Sequence, residues 1–161
     1  MSNTMREILF RGKRVDNGEW VSGSVLSFDD GGKVILPSAA KAFKEHGTTT
    51  ICCNECYDVY PETVGQYTGL TDKNGNKIFE GDILRAVSED TGEPIYAVVG
   101  YGKFNDPNSL DDDSIIGWYA EFRGIKTTIL NGESEGCSIP SACEVVSNIH
   151  DNPELLEGSN E

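Results

Sequence analysis

Short apolar runs rich in Val, Ile, Tyr, Phe and Thr recur along this chain, and glycine-bearing polar turns separate them. That alternation predicts a β protein of many short strands. Ile8 to Arg11 and Trp20 to Phe28 read as the first two strands, with Asp16-Asn17-Gly18 supplying the positive-φ residues of a tight reversal. On the second strand Trp20, Leu26 and Phe28 share one face, while Val21 and Val25 point the other way. Asp29-Asp30-Gly31-Gly32 is a second turn, and Val34-Ile35-Leu36 follows it.

Ser38 to His46 is the best helix candidate: Ser38 suits a cap, Ala39, Ala40, Ala42 and Phe43 favour the helix, and Gly47 suits its end. His46 would then sit where a cation complements the helix dipole. Thr48 to Cys53, Tyr57 to Tyr60 and Val64 to Thr68 read as further strands. Asp72-Lys73-Asn74-Gly75-Asn76, between Tyr67–Leu70 and Lys77–Phe79, is a hairpin tip.

After Glu80-Gly81-Asp82 come the runs Ile83–Val87, Ile95–Tyr101, Ile115–Phe122, Ile125–Leu130 and Glu144–Ile149. A set of this size suits a small closed β structure, and the expectation is an SH3-like barrel. Asn152-Pro153-Glu154-Leu155-Leu156 reads as one capped helical turn before an acidic tail. The expected fold is mainly β, with short antiparallel strands, that barrel in the C-terminal half and one or two short helices. The expected division is 5–79 as an N-terminal β region, 80–150 as the barrel, and 151–161 as helical turn and tail.

Charge refines this picture. The net charge of −14 is uneven: residues 1–85 carry 10 basic and 12 acidic side chains, while residues 86–161 carry 3 basic and 15 acidic, a net of −12. Phosphate backbones call for Lys and Arg, so direct nucleic-acid binding is disfavoured, and a basic partner or simple solubility fits the acidic excess better. No run approaches the roughly 20 apolar residues of a membrane span, and the first residues lack a signal-peptide core, so the expected place is the cytoplasm.

Several motifs suggest chemistry and fall short of it. Gly132-Glu133-Ser134-Glu135-Gly136 has nucleophile-elbow spacing, but Pro140 follows where the elbow needs a helix. Cys53-Asn54-Glu55-Cys56, with Cys52 beside it, lacks a tightly spaced second ligand pair, because Cys137 and Cys143 are six apart. Five cysteines without a leader read as thiols of a reducing compartment. Asp72-x-Asn74-x-Asn76 starts like a calcium loop, yet Lys77 and Ile83 stand where it needs Gly and Glu. Asp111-Asp112-Asp113 reads as a solvated loop. Neither His46 nor His150 has neighbours that imply catalysis, and Trp20, Trp118 and Tyr119 read as core rather than partner anchors. The expectation is no catalytic residue, no cofactor and no metal site.

Three stretches resemble the YopX-like family of phage and prophage proteins: Met5–Gly12 continued by Glu19–Gly23, then Glu62–Ile83, then Glu144–Leu156. The resemblance implies a phage or prophage origin and self-association, and brings no catalytic residues. The central motif, with Gly65, Tyr67, Gly69, Leu70, Asp72, Asn74, Gly75, Glu80, Gly81 and Asp82, has a structural reading that needs no site. Its glycines and Asn74-Gly75 shape a hairpin, Tyr67 and Leu70 pack, and Asp82 suits backbone amides at a strand entrance. The expected function is a non-enzymatic accessory protein that binds a protein partner, with a homo-oligomer implied. The alternative is a nucleic-acid-linked role, through Arg6, Arg11, Lys13 and Arg14 or by mimicry of DNA charge in residues 86–161.

Overall fold

A computed structural model describes residues 7–37, 41–52, 55–88, 90–105, 114–129 and 142–157. The chain divides into two compact units, Met1–Tyr67 and Thr68–Glu161.

The first unit holds β1 (Phe10–Lys13), β2 (Trp20–Ser27), β3 (Lys33–Leu36), β4 (Lys41–Glu45), β5 (Thr48–Cys52) and β6 (Tyr57–Val59). A 3-10 turn, Pro61–Thr63, leads into β7 (Gly65–Thr71), which runs across the unit boundary. The main strands lie in the order β6-β3-β2-β1-β7, and the pairs in registration are antiparallel. Gly18 (φ 73°) and Gly31 (φ 88°) occupy the two turns read from the sequence. Ile35, Leu36 and Val59 are buried. The buried side of β2 centres on Gly23, with Val21 and Val25 half-buried, whereas Leu26 and Phe28 are exposed.

The helix expected over Ser38–His46 is not formed: Lys41–Glu45 is strand β4, paired antiparallel with β5. Ser38, Ala39 and Ala40 lie outside the described residues. The alanines carry helix propensity, but an isolated helix of two turns is marginal. His46 (φ 49°) and Gly47 (φ 80°) form a two-residue reversal with both φ values positive. It joins a β-branched run, Thr48–Ile51, back onto β4, and His46 sits in a turn rather than at a helix end.

The second unit contains the remainder of β7, then β8 (Lys77–Phe79), β9 (Asp82–Val87), β10 (Pro94–Phe104), β11 (Ile115–Phe122), β12 (Ile125–Thr128), β13 (Glu144–Asn148) and the short helix α1 (Glu154–Glu157). Five strands form an antiparallel sheet in the order β12-β11-β10-β9-β13. Among the described residues this sheet does not close into a barrel. Leu70, Ile78, Leu84, Val99, Ala120, Ile129 and Cys143 make its core. Full burial of a Leu or Ile side chain is worth about 1.5–3 kcal/mol, so Leu70 and Ile78 anchor the β7–β8 hairpin on this core. Among the described residues no helix is long and apolar enough to cross a membrane.

Candidate functional site

The family-like motif of the sequence builds the β7–β8 hairpin and the turn into β9. Gly69 (φ 91°) bends β7, and the Thr68 hydroxyl bridges the bend, donating to the Ile78 carbonyl at 2.8 Å and accepting from the Leu70 N–H at 3.1 Å. At the tip, Asp72 is only 5% exposed. Its Oδ1 accepts from the N–H groups of Asn74 and Asn76, both at 2.8 Å. Its Oδ2 accepts from Asn76 Nδ2 at 3.0 Å and from the Val145 N–H of β13 at 3.0 Å. Gly75 (φ 84°) completes the turn by donating to the Asp72 carbonyl at 3.0 Å. Burial pushes the Asp72 carboxyl up, but the bonds from Val145, Asn76 and Asn74 outweigh it and hold the group below its ordinary value.

Gly81 (φ 81°) turns β8 into β9, donating to the Val99 carbonyl and accepting from the Ile149 N–H, both at 2.9 Å. Asp82, 1% exposed, accepts from the Phe79 N–H at 2.7 Å. Glu80 is exposed. Gly65 and Tyr67, in the first unit, are buried on the part of β7 that runs beside β1.

A second polar node joins three elements of the C-terminal unit. Arg85 of β9 donates to Glu144 of β13 at 2.9 Å, and Lys73 of the hairpin tip stands 3.2 Å from the other Glu144 oxygen. Hydrogen bonding from Arg85, then from Lys73, holds the Glu144 carboxyl below its ordinary value, and Glu144 raises Arg85 in turn. This node borders a 540 Å³ cavity that also reaches Ser88, Ile95 and Cys143. An adjoining 250 Å³ cavity is apolar, lined by Ala86, Ile95, Ala97, Ala120, Phe122 and Ile125 among others. It opens on the core face of the sheet, where three alanines leave room that larger side chains would fill.

Asn148, buried at 7%, accepts from the N–H groups of His150 (3.0 Å) and Asp151 (3.1 Å) and donates to the Asp151 carboxylate at 2.8 Å. The sequence reading passed over it, although an Asn followed closely by Asp and Pro is a turn signal. The Asn152 side chain accepts from the Ser147 hydroxyl at 2.7 Å and donates to Glu154 at 2.8 Å.

In the first unit, Arg14 lies 3.8 Å from the Tyr57 ring centroid and donates to both carboxylate oxygens of Asp16, and Arg11 lies 4.7 Å from the Trp20 ring centroid. Arg6 lies outside the described residues. Trp118 and Tyr119 are half-buried, in edge contact with Tyr101 and Phe104. Cys56 is exposed and Cys143 buried. Cys53, Cys137, the stretch Gly132–Gly136 and Asp111–Asp113 lie outside the described residues. Among the described residues no group of three or more His, Cys, Asp or Glu is placed to hold a metal ion.

These features define a mainly β, antiparallel chain of two units, in which the polar network around Asp72, Asp82 and Asn148 organises turns and strand ends. The chain belongs to the YopX protein family, whose model matches residues 9–157. Among solved structures it is similar to protein EF1440 from Enterococcus faecalis, with 25% sequence identity and a TM-score of 0.50, covering 93% of this chain and 98% of that one. No curated protein matches it.

Proposed function

We propose that this chain is a non-enzymatic protein-interaction module of phage or prophage origin, which self-associates and engages a basic protein partner through its C-terminal sheet. The observation that carries the reading is where the motif's polar groups go. Asp72, Asp82, Thr68 and Asn148 are committed to hydrogen bonds that hold turns and strand ends, and none of them lines the two cavities, while Lys73 and Glu144, which border the larger one, are paired there with each other, Glu144 also with Arg85. Catalysis needs acid, base or nucleophile groups converging on a space a substrate can enter. The phage or prophage origin is what the resemblance of the three sequence stretches implies.

The partner's chemistry follows from two separate features, the apolar cavity and the acidic balance of the sequence after residue 85. Residues 86–161 carry a net −12, so a partner with an apolar side chain set in a basic surface complements both features. The sheet itself reads as a half-open SH3-like barrel. Its strands β9 to β12 are neighbours in chain order, β13 returns beside β9, and β10 is 11 residues long, enough to serve two faces of a bent sheet.

A nucleic-acid-linked role has less behind it. Arg14 is engaged by Asp16 and Tyr57, and Arg11 rests on Trp20, which leaves a thin basic surface for phosphate contact.

Capture from lysogenic cells with the tagged full chain tests the proposal. The expected result is one basic protein retained at low salt, released by high salt, and lost with Ala97→Phe, which fills the apolar cavity and leaves the charge of the chain unchanged. Release of that protein by duplex DNA would favour charge mimicry. A clean monomer that retains nothing would overturn the reading.

A further inference from the structure

We propose that the β4–β5 hairpin is a self-association arm, in which the free edge of β5 pairs antiparallel with the β5 edge of a second copy of this chain. The proposal rests on the self-association part of the reading above and names its surface. Among the described residues the hairpin is a two-stranded sheet of its own, and every residue from Phe43 to Thr50 is exposed, Phe43 at 58%. A lone two-stranded hairpin is only marginally stable in water, and further strands stabilise it.

The β5 edge favours a copy of itself over other occupants. Sheet edges are normally blunted by lysine, proline, bulges or a cover. Thr48-Thr49-Thr50-Ile51-Cys52 has no charge and no proline, and its register with β4 is unbroken. The β4 strand carries Lys41, Lys44 and Glu45 instead. Two chains of net charge −14 repel each other, and an uncharged edge is where they approach with least Coulomb opposition.

The register is self-complementary as well. The two-residue reversal at His46-Gly47 makes Glu45 and Thr48 the hydrogen-bonded closing pair. By alternation, Phe43 and Thr50 form the next such pair, and the N–H and C=O of Thr49 and Ile51 face the free edge. A two-fold axis through Thr50 then sets Thr49 opposite the partner's Ile51, where each residue both donates and accepts, and the symmetric pair repeats it.

Light scattering and sedimentation of the purified full chain, with Thr49→Pro and Thr50→Cys variants, test this. Proline at 49 removes an outward donor and leaves the β4–β5 bonds intact. It should weaken association at least about tenfold, while the circular dichroism spectrum still shows the main sheets folded. The substituted position faces its own copy across the axis, so mild oxidation should yield a covalent dimer whose bridge maps to position 50 of both chains, distinct from any bridge through the exposed Cys56. A wild-type chain that stays monomeric overturns both self-association and the arm. A wild-type oligomer that is unchanged by Thr49→Pro and not cross-linked by Thr50→Cys overturns the arm alone.

Discussion

The Asp72 carboxylate accepts a hydrogen bond at 3.0 Å from the backbone N–H of Val145, which lies 73 residues further along the chain. A turn residue is thereby also a long-range tie between the hairpin tip and the last strand. Lys73 reinforces the same junction twice, through its N–H to the Cys143 carbonyl at 3.1 Å and its ammonium to Glu144.

Removing that carboxylate strands several amides at once. Asp72→Ala should destabilise the C-terminal unit by about 3 kcal/mol, since hydrogen bonds to charged groups are worth about 1.5–3 kcal/mol and donors of Asn74, Asn76 and Val145 lose their acceptor together. Asp72→Asn keeps one oxygen acceptor and should fall between the two. Urea unfolding should give midpoints in the order wild type, Asn, Ala, with an unchanged denaturant slope.

The same carboxylate sets an acid dependence. Its folded pKa is below the unfolded value of 3.8, so its contribution is fully present above that value and is lost as pH falls through the folded one. Thermal midpoints should therefore be flat with respect to this group above pH 5 or so and drop below about pH 4. Asp72→Asn should show a shallower drop, with the lowered Asp16 and Glu144 carboxyls supplying the remainder.

Two glycines in strands should respond oppositely to alanine. A Cβ on Gly23 would sit 1.9 Å from the Leu36 carbonyl oxygen, a backbone atom that cannot step aside alone. Gly23→Ala should cost the N-terminal unit about 2–3 kcal/mol or more, in the range of core overpacking. A Cβ on Gly117 meets nothing within 4 Å, and Gly117→Ala should be neutral or stabilising by up to about 1 kcal/mol. Thermal melts of the two variants check both signs.

The strand map was largely legible because turn chemistry is local. Asp16-Asn17-Gly18, Asn74-Gly75 and Glu80-Gly81 mark reversals whose glycines do adopt positive φ. The hairpin β4–β5 was misread because Ala39, Ala40 and Ala42 carry helix propensity, while the competing signal, His46-Gly47 ahead of a threonine run, acts only once both strands pair. At the candidate site, the turn role of Asp72 could be read from its neighbours, but its tie to Val145 could not. That bond depends on β13 pairing with β9, and β9 and β13 are joined by a long intervening stretch of chain. The node of Lys73, Arg85 and Glu144 was invisible for the same reason.

That node makes a prediction of its own. Glu144 bridges two cations at a part-exposed position, so Glu144→Gln should lower the unfolding midpoint only slightly at low salt. The difference from wild type should vanish at high salt, where such pairs are screened. A loss that persists in salt would mean that Glu144 acts through packing instead.

Amide hydrogen exchange at Val145, Asn76 and Phe79 in the native chain tests most directly whether the family motif serves the backbone. These amides donate to Asp72 and Asp82 side chains, and exchange should be as slow as for amides of the β9–β10 ladder. Exchange at the rate of an open loop would mean that those carboxylates are free for other work, and would contradict the account.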